Sequence, residues 1–330
     1  MIFICNHGKD CYNRRIYYFF IGFFMRITPA VTNILNNYES DNPGVKTNLA
    51  RMLMHGALGG TGRLMILPID QGFEHGPARC FAGNPDAYDP FFHYQMAVDG
   101  EFSAYAAPLG MLEAGAATFA GAVPTILKMN SSNSLMNKDL PGDQAITASI
   151  SDALRLGCSA IGFTIYPGSD ASLDMFEEVS ALTAEAKSCG LAVVIWSYPR
   201  GSVSKAGEKA IDVVAYGAHM ACLLGAHIIK VKLPTDYFEL AEAKTQYINH
   251  HVPITTLTDR VRHVVQCCFN GRRIVVFSGD EVKDTSGVLD EVRAIHAGGG
   301  NGSIIGRNCF KRPRPEAMTM IQEIIEIYKG

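Results

Sequence analysis

The sequence predicts an α/β protein, a (β/α)8 (TIM) barrel preceded by an N-terminal helical extension. Three observations carry that prediction. Short apolar runs recur from residue 64 onward, segments with helical spacing separate them, and glycines stand where helix gives way to strand.

In order, the runs are 64–70 (LMILPID), 102–108 (FSAYAAP), 125–130 (TILKMN), 160–166 (AIGFTIY), 192–198 (AVVIWSY), 227–233 (HIIKVKL), 273–279 (RIVVFSG) and 303–308 (SIIGRN). Near-continuous apolar character marks strands covered on both faces, as in a parallel sheet wrapped by helices. Among the intervening segments, 174–188 places Met175, Phe176, Val179 and Leu182 at helical spacing, and 211–224 and 258–269 read the same way. Gly157, Gly190, Gly225 and Gly271 close helices before the next run. Eight strand–helix units over 64–330 suit a barrel, typically about 250 residues long. An open doubly wound sheet is the alternative that the same alternation allows. No linker divides 64–330, which is expected to be one catalytic domain. Residues 25–63 are expected to form a helical cap, with a helix over 47–58.

Composition narrows the function. Hydrophobic residues make up 48% and charged residues 18%, a balance that suits a buried core rather than disorder. A net charge of −3 invites neither nucleic acid nor an anionic membrane surface. An anionic substrate would therefore be held by local positive groups. Nine cysteines without a C-x-x-C spacing do not read as a disulfide framework, so a reducing cytoplasm is expected. The run 16–24 (IYYFFIGFF) follows Lys9, Arg14 and Arg15 like a secretory signal, yet no small-x-small cleavage site follows it. It is also too short to span a bilayer. Residues 1–24 are expected to be translated upstream sequence or a disordered extension, with Met25 as the true start.

A barrel carries its active site at the C-terminal ends of its strands. Those ends form a polar set: Asp70, Lys128 with Asn130, Tyr166, Trp196 with Tyr198, Lys230 with Lys232, Ser278 and Arg307. Side chains two apart on a strand share a face, so if Ile229, Val231 and Leu233 face the helices, Lys230 and Lys232 both point into the barrel. Burial and a second nearby cation both lower an amine's pKa and leave a neutral nucleophile for a carbonyl. Lys128 is expected to add to the same field. The residues alone do not choose between Lys230 and Lys232, and anion binding without catalysis stays open.

Tyr198 offers a proton donor and acceptor, Trp196 a flat apolar wall, and Arg200 in the following turn an anion clamp. Strands seven and eight end in Ser278-Gly279-Asp280 and Gly306-Arg307-Asn308. These are the barrel positions where backbone N–H groups commonly bind phosphate. Asp70, Glu74 and His75 share one loop and have ligand chemistry, but no second His/Cys cluster stands at another strand end, so no metal is expected.

The runs PIDQGFEHGP (68–77), TIYPGS (164–169), WSYPRG (196–201), HIIKVKLP (227–234) and IGRN (305–308) resemble archaeal-type class I fructose-bisphosphate aldolases, a family also found in bacteria. The resemblance extends from residue 64 to the C-terminus. It implies a Schiff base on Lys230, proton transfer through Tyr198, and assistance from Asp70. It places Gln71, His75, Trp196 and Arg200 around the sugar and distal phosphate. Val231, Lys232, Ser278, Gly279, Asp280, Gly306 and Arg307 would surround the other phosphate. It also implies a phosphosugar substrate, no metal or organic cofactor, and a homo-oligomer in the cytoplasm. One position departs from the family, which usually has a second glycine where this chain has Asp280. A carboxylate there would repel phosphate unless only its backbone contributes, and Lys283 is expected to compensate. A related lysine-dependent aldolase or transaldolase for another phosphosugar, a phosphosugar isomerase without a covalent intermediate, and a non-catalytic binding protein are the alternative readings.

Overall fold

Eight parallel strands close on themselves in the computed structural model, which describes residues 27–137, 139–279 and 283–330. They are β1 (Leu64–Pro68), β2 (Ala104–Pro108), β3 (Thr125–Lys128), β4 (Ala160–Ile165), β5 (Ala192–Ser197), β6 (Ile228–Lys232), β7 (Ile274–Ser278) and β8 (Gly302–Ile304). Each pairs with the next, and β8 returns to β1 with Leu64 opposite Gly302. The sheet is therefore a barrel, and the open doubly wound alternative is excluded. Every expected run contains a strand, but the strands stop short of the polar ends. Asp70, Tyr166, Tyr198 and Gly279 lie just beyond the ladder, and Arg307 opens a short helix after β8.

Alternation along the strands sorts side chains into two layers. Leu64, Ile66, Ala104, Ala106, Ile126, Val194, Trp196, Ile228, Val276 and Ile304 fill the interior. Met65, Leu67, Leu127, Phe163, Ile195, Ile229, Val231 and Phe277 face the helices. Full burial of each such aliphatic side chain contributes about 1.5–3 kcal/mol. The expected outer helices appear as Ser172–Ser188, Ile211–Leu223 and Leu257–Cys267. The last is shorter than its spacing suggests because Phe269 and Asn270 take left-handed conformations, φ 56° and 55°. An antiparallel ribbon of Asn130–Ser131 and Ala145–Ile146 follows β3 and has no counterpart in the sequence prediction.

The chain before the barrel plugs one end. Helices α1 (Pro29–Leu35) and α2 (Pro43–Leu53) bring Val31, Leu35, Val45, Leu49, Met52 and Leu53 into the interior cluster. The sequence predicts a helix over 47–58; α2 instead begins and ends earlier. The Asn42 side chain accepts the Val45 amide at 3.0 Å, and Pro43 opens the first turn. Gly56 then takes φ 73°, where an added Cβ would lie 2.1 Å from Glu101 O. The plug is latched by polar contacts. Tyr38 Oη donates to His227 O at 2.6 Å and accepts from Ile274 N at 3.3 Å, while His227 Nε2 meets Asp41 at 2.9 Å.

Two substitutions probe this frame. Tyr38→Phe leaves the His227 carbonyl without that donor and should cost about 1–3 kcal/mol in urea unfolding. Gly162→Ala should cost more, because its Cβ would lie 2.1 Å from a Trp196 ring carbon inside the close-packed barrel. An unchanged midpoint for Gly162→Ala would show that the indole can move aside.

Candidate active site

A cleft of about 980 Å³ opens at the C-terminal end of the barrel. Asp70, Gln71, His75, Tyr198, Arg200, Lys230, Lys232, Ser278, Gly279, Gly306 and Arg307 all line it. Residues following several different strands are thus brought to one place. Trp196 and Val231 are not among the lining residues. The Trp196 indole is 1% exposed and lies in the barrel interior, in the space left by Gly162. Val231 points its side chain outward, and its carbonyl accepts Ser278 Oγ at 3.4 Å. Asp280 lies outside the described residues, as do residues 1–24.

The structure separates the two lysines that the strand pattern leaves equivalent. Lys230 is one row deeper, beside Trp196 and Val276 in the ladder, and is 4% exposed. Burial brings its ammonium down to about 8, against the opposing pull of Asp70; Arg307 lowers it further and Glu74 raises it. Arg307 is thus a further cation in the field that the sequence expects around Lys230. Lys230 Nζ stands 5.5 Å from the Trp196 ring centre and 5.4 Å from that of Tyr198. Lys232, at the rim, lies 3.7 Å from Glu208 and 5.8 Å from the Tyr198 ring. Lys128 is a second buried amine, also brought to about 8 by burial, with Asp70 and Glu74 opposing and Lys230 adding to the fall. It donates to Asn130 Oδ1 at 2.9 Å and lies 5.9 Å from the Trp196 ring.

Tyr198 is held at the strand end by its amide, which donates to Ile165 O at 3.0 Å. Burial raises its phenol above the ordinary value, a hydrogen bond with the Ser278 side chain opposes this, and Asp70 and Glu74 add to the rise. Tyr198 is thus a neutral phenol at neutral pH, with a proton to give. Asp70 caps the short helix Gln71–His75 but spends no side-chain hydrogen bond there. His75, at the end of that helix, is kept neutral mainly by burial. The Gln71 side-chain carbonyl is buried without a hydrogen-bond partner. Among the described residues, no group of three or more His, Cys, Asp or Glu side chains is arranged to hold a metal ion.

At the β7–β8 end, Gly306 permits close approach, since a Cβ would meet Pro68 O at 2.5 Å. Arg307 begins the short helix Arg307–Phe310. Lys283, expected to offset Asp280, pairs instead with Glu291, whose carboxylate stands beside Gly279.

Sequence reasoning misses Glu208. It lies in the Gly/Ser-containing loop after β5, buried, bonded to Arg200 at 2.9 Å and to Lys205 at 3.1 Å. No strand or helix periodicity reaches that loop, and the only local signal is a carboxylate set between Lys205 and Lys209. Its position brings together Arg200 and Lys232, which the resemblance assigns to opposite phosphates.

Known proteins resemble this chain in sequence and fold. Residues 64–312 match the family described as DeoC/LacD family aldolase. A probable fructose-bisphosphate aldolase class 1 of Chlamydia trachomatis is 33% identical over 88% of this chain and 86% of its own length. Fructose-bisphosphate aldolase class 1 of Thermoproteus tenax is 32% identical over 82% of this chain and 90% of its own. A solved archaeal fructose-1,6-bisphosphate aldolase, its catalytic lysine covalently bound to the carbinolamine intermediate of the substrate, superposes with a TM-score of 0.69. It is 30% identical, covering 82% of this chain and 95% of the other. By family match, sequence identity and fold together, this chain belongs to the DeoC/LacD aldolase family.

Proposed function

We propose that the protein is a class I fructose-bisphosphate aldolase, a carbon–carbon lyase that reversibly cleaves fructose 1,6-bisphosphate to dihydroxyacetone phosphate and glyceraldehyde 3-phosphate. The observation that carries this reading is a buried Lys230, lowered to about 8, opening onto a cleft that also holds Tyr198 and Asp70. At pH 7 about one tenth of such an amine is neutral and nucleophilic.

The chemistry follows from those groups. Lys230 Nζ attacks the ketone carbon of the open-chain sugar, and loss of water leaves an iminium whose nitrogen accepts electrons. Asp70 takes the C4 hydroxyl proton, the C3–C4 bond breaks, and glyceraldehyde 3-phosphate departs. The electron pair of the broken bond remains as an enamine. Tyr198 gives its proton to C3 and is reprotonated at the expense of Asp70, and water hydrolyses the resulting iminium to free dihydroxyacetone phosphate and Lys230. Ser278, Gly279, Gly306 and Arg307 serve one phosphate; Gln71, His75 and Arg200 serve the sugar and the other. Electron withdrawal by the lysine iminium makes this scheme independent of metal and organic cofactors.

The same reading takes the barrel over 64–330 as the catalytic unit and 25–63 as its cap. It expects a homo-oligomer built through outer helices, supported by exposed Tyr216 and Leu223 on Ile211–Leu223. A cytoplasmic location is supported by seven free thiols among the described residues. Among those residues no helix is long and apolar enough to cross a membrane.

Incubation with dihydroxyacetone phosphate, borohydride reduction and peptide mass spectrometry tests the reading. The adduct should fall on Lys230, be absent in Lys230→Ala and survive chelator. The initial trapping rate should climb as pH rises through about 8, because deprotonation creates the nucleophile. No adduct together with chelator-sensitive turnover would point to a metal-dependent enzyme. No adduct with isomerase activity would point to charge stabilisation alone. Tyr198→Phe should lower kcat roughly a hundredfold or more while adduct formation persists; near-normal turnover would remove Tyr198 from the proton path.

A further inference from the structure

One buried carboxylate at the cleft wall has no task in this scheme. Glu208 Oε2 accepts from Arg200 Nη1 at 2.9 Å and lies 3.7 Å from Lys232 Nζ, while Oε1 accepts from Lys205 Nζ at 3.1 Å. The side chain of Glu208 is 10% exposed, against 29% for Arg200 and 19% for Lys232. The anion is the more buried member, and the two cations are the more exposed ones at the cleft. Both stand beside the proposed proton carrier: the Arg200 guanidinium is 6.0 Å and Lys232 Nζ 5.8 Å from the Tyr198 ring centre.

The scaffold under Glu208 is firmly tied. Ser204 N and Oγ each donate to Glu239 at 2.7 Å, and Thr235 N donates to Lys209 O at 2.8 Å. A side chain at Gly207 would come within 2.5 Å of Glu239 Cδ, so the turn presenting Glu208 closes against the loop after β6.

We infer that Glu208 is a positioning residue that holds Arg200 and Lys232 as a preassembled site for the phosphate on the aldehyde-derived half of the sugar. This rests on the aldolase reading and deepens it. Arg200 and Lys232 stand at one oxygen of a buried carboxylate, and both line the cleft with the N–H donors that a phosphate accepts. Without the carboxylate, Arg200 would lose its charged partner and the repulsion between the two cations would go uncompensated at that oxygen. Preorganisation would be lost along with the charge.

Glu208→Gln and Glu208→Asp are to be compared with the wild type in cleavage of fructose 1,6-bisphosphate and of fructose 1-phosphate, which lacks that second phosphate. Borohydride trapping with dihydroxyacetone phosphate runs alongside. In Glu208→Gln the KM for the bisphosphate should rise roughly tenfold. The KM for fructose 1-phosphate and the yield of Lys230 adduct should stay at wild-type levels, and Glu208→Asp should recover part of the loss. If Glu208→Gln does not fold, Glu208→Asp decides by the same split between the two sugars. An equal KM change on both sugars, or none on either, overturns the assignment. A lowered KM for the bisphosphate overturns it as well, because Glu208 would then be a competing anion. If the wild type forms no adduct and cleaves neither sugar, the aldolase reading itself is what fails, and the role of Glu208 falls with it.

Discussion

Everything at the cleft depends on keeping an amine dry. An ammonium inside a barrel loses hydration that the protein only partly replaces, and Lys230 yields its proton more readily as a result. Rigid surroundings make that desolvation possible. The indole of Trp196 occupies the space left by Gly162, and Val194, Ile228 and Val276 belong to the same interior cluster. The α1–α2 plug closes the opposite end over that cluster. A contact as remote as that between Tyr38 and His227 therefore shares one frame with the nucleophile.

The carboxylates near Lys230 work against this effect, and their placement shows why the balance is moderate. Asp70 and Glu74 favour the charged amine, whereas burial and Arg307 favour the neutral one. A nucleophile near 8 serves an imine cycle well. The amine must be neutral to attack, yet its iminium must be cationic to draw electrons, and a nearby carboxylate stabilises that later charge. The same carboxylates add to the rise of the buried Tyr198 phenol, which keeps it neutral.

Much of the barrel is legible in the sequence because alternation and burial are properties of contiguous residues. The eight runs, the helix following β4, and the glycines at Gly190 and Gly225 are local patterns that tertiary structure leaves intact. The helix in 25–63 is misplaced by the sequence pattern because its bounds depend on single residues. Asn42 and Pro43 start it, and the left-handed turn at Gly56 lies beyond it. The ribbon after β3 consists of two-residue strands, too short for any periodicity. At the site, the strand-end rule finds Lys230, Tyr198 and Asp70 but does not rank Lys230 above Lys232. Depth in the barrel distinguishes them, and depth depends on where each strand leaves the ladder. Residues on connecting loops are out of reach. Glu208 acquires meaning only from the cations that folding sets beside it.

That carboxylate bears on how a protein of net charge −3 can receive an anionic sugar. The whole-molecule field offers no attraction, and exposed ion pairs at the rim are screened and weak. Binding must come from cations whose own solvation is already curtailed. Such cations are costly to hold without a partner. At the β5–β6 wall, Glu208 supplies that partner for Arg200 and Lys232. That carboxylate stabilises both cations before a sugar arrives and leaves them on the wall of the cleft. In this family member, affinity for phosphate thus depends as much on where the anions of the cleft are placed as on the cations they hold.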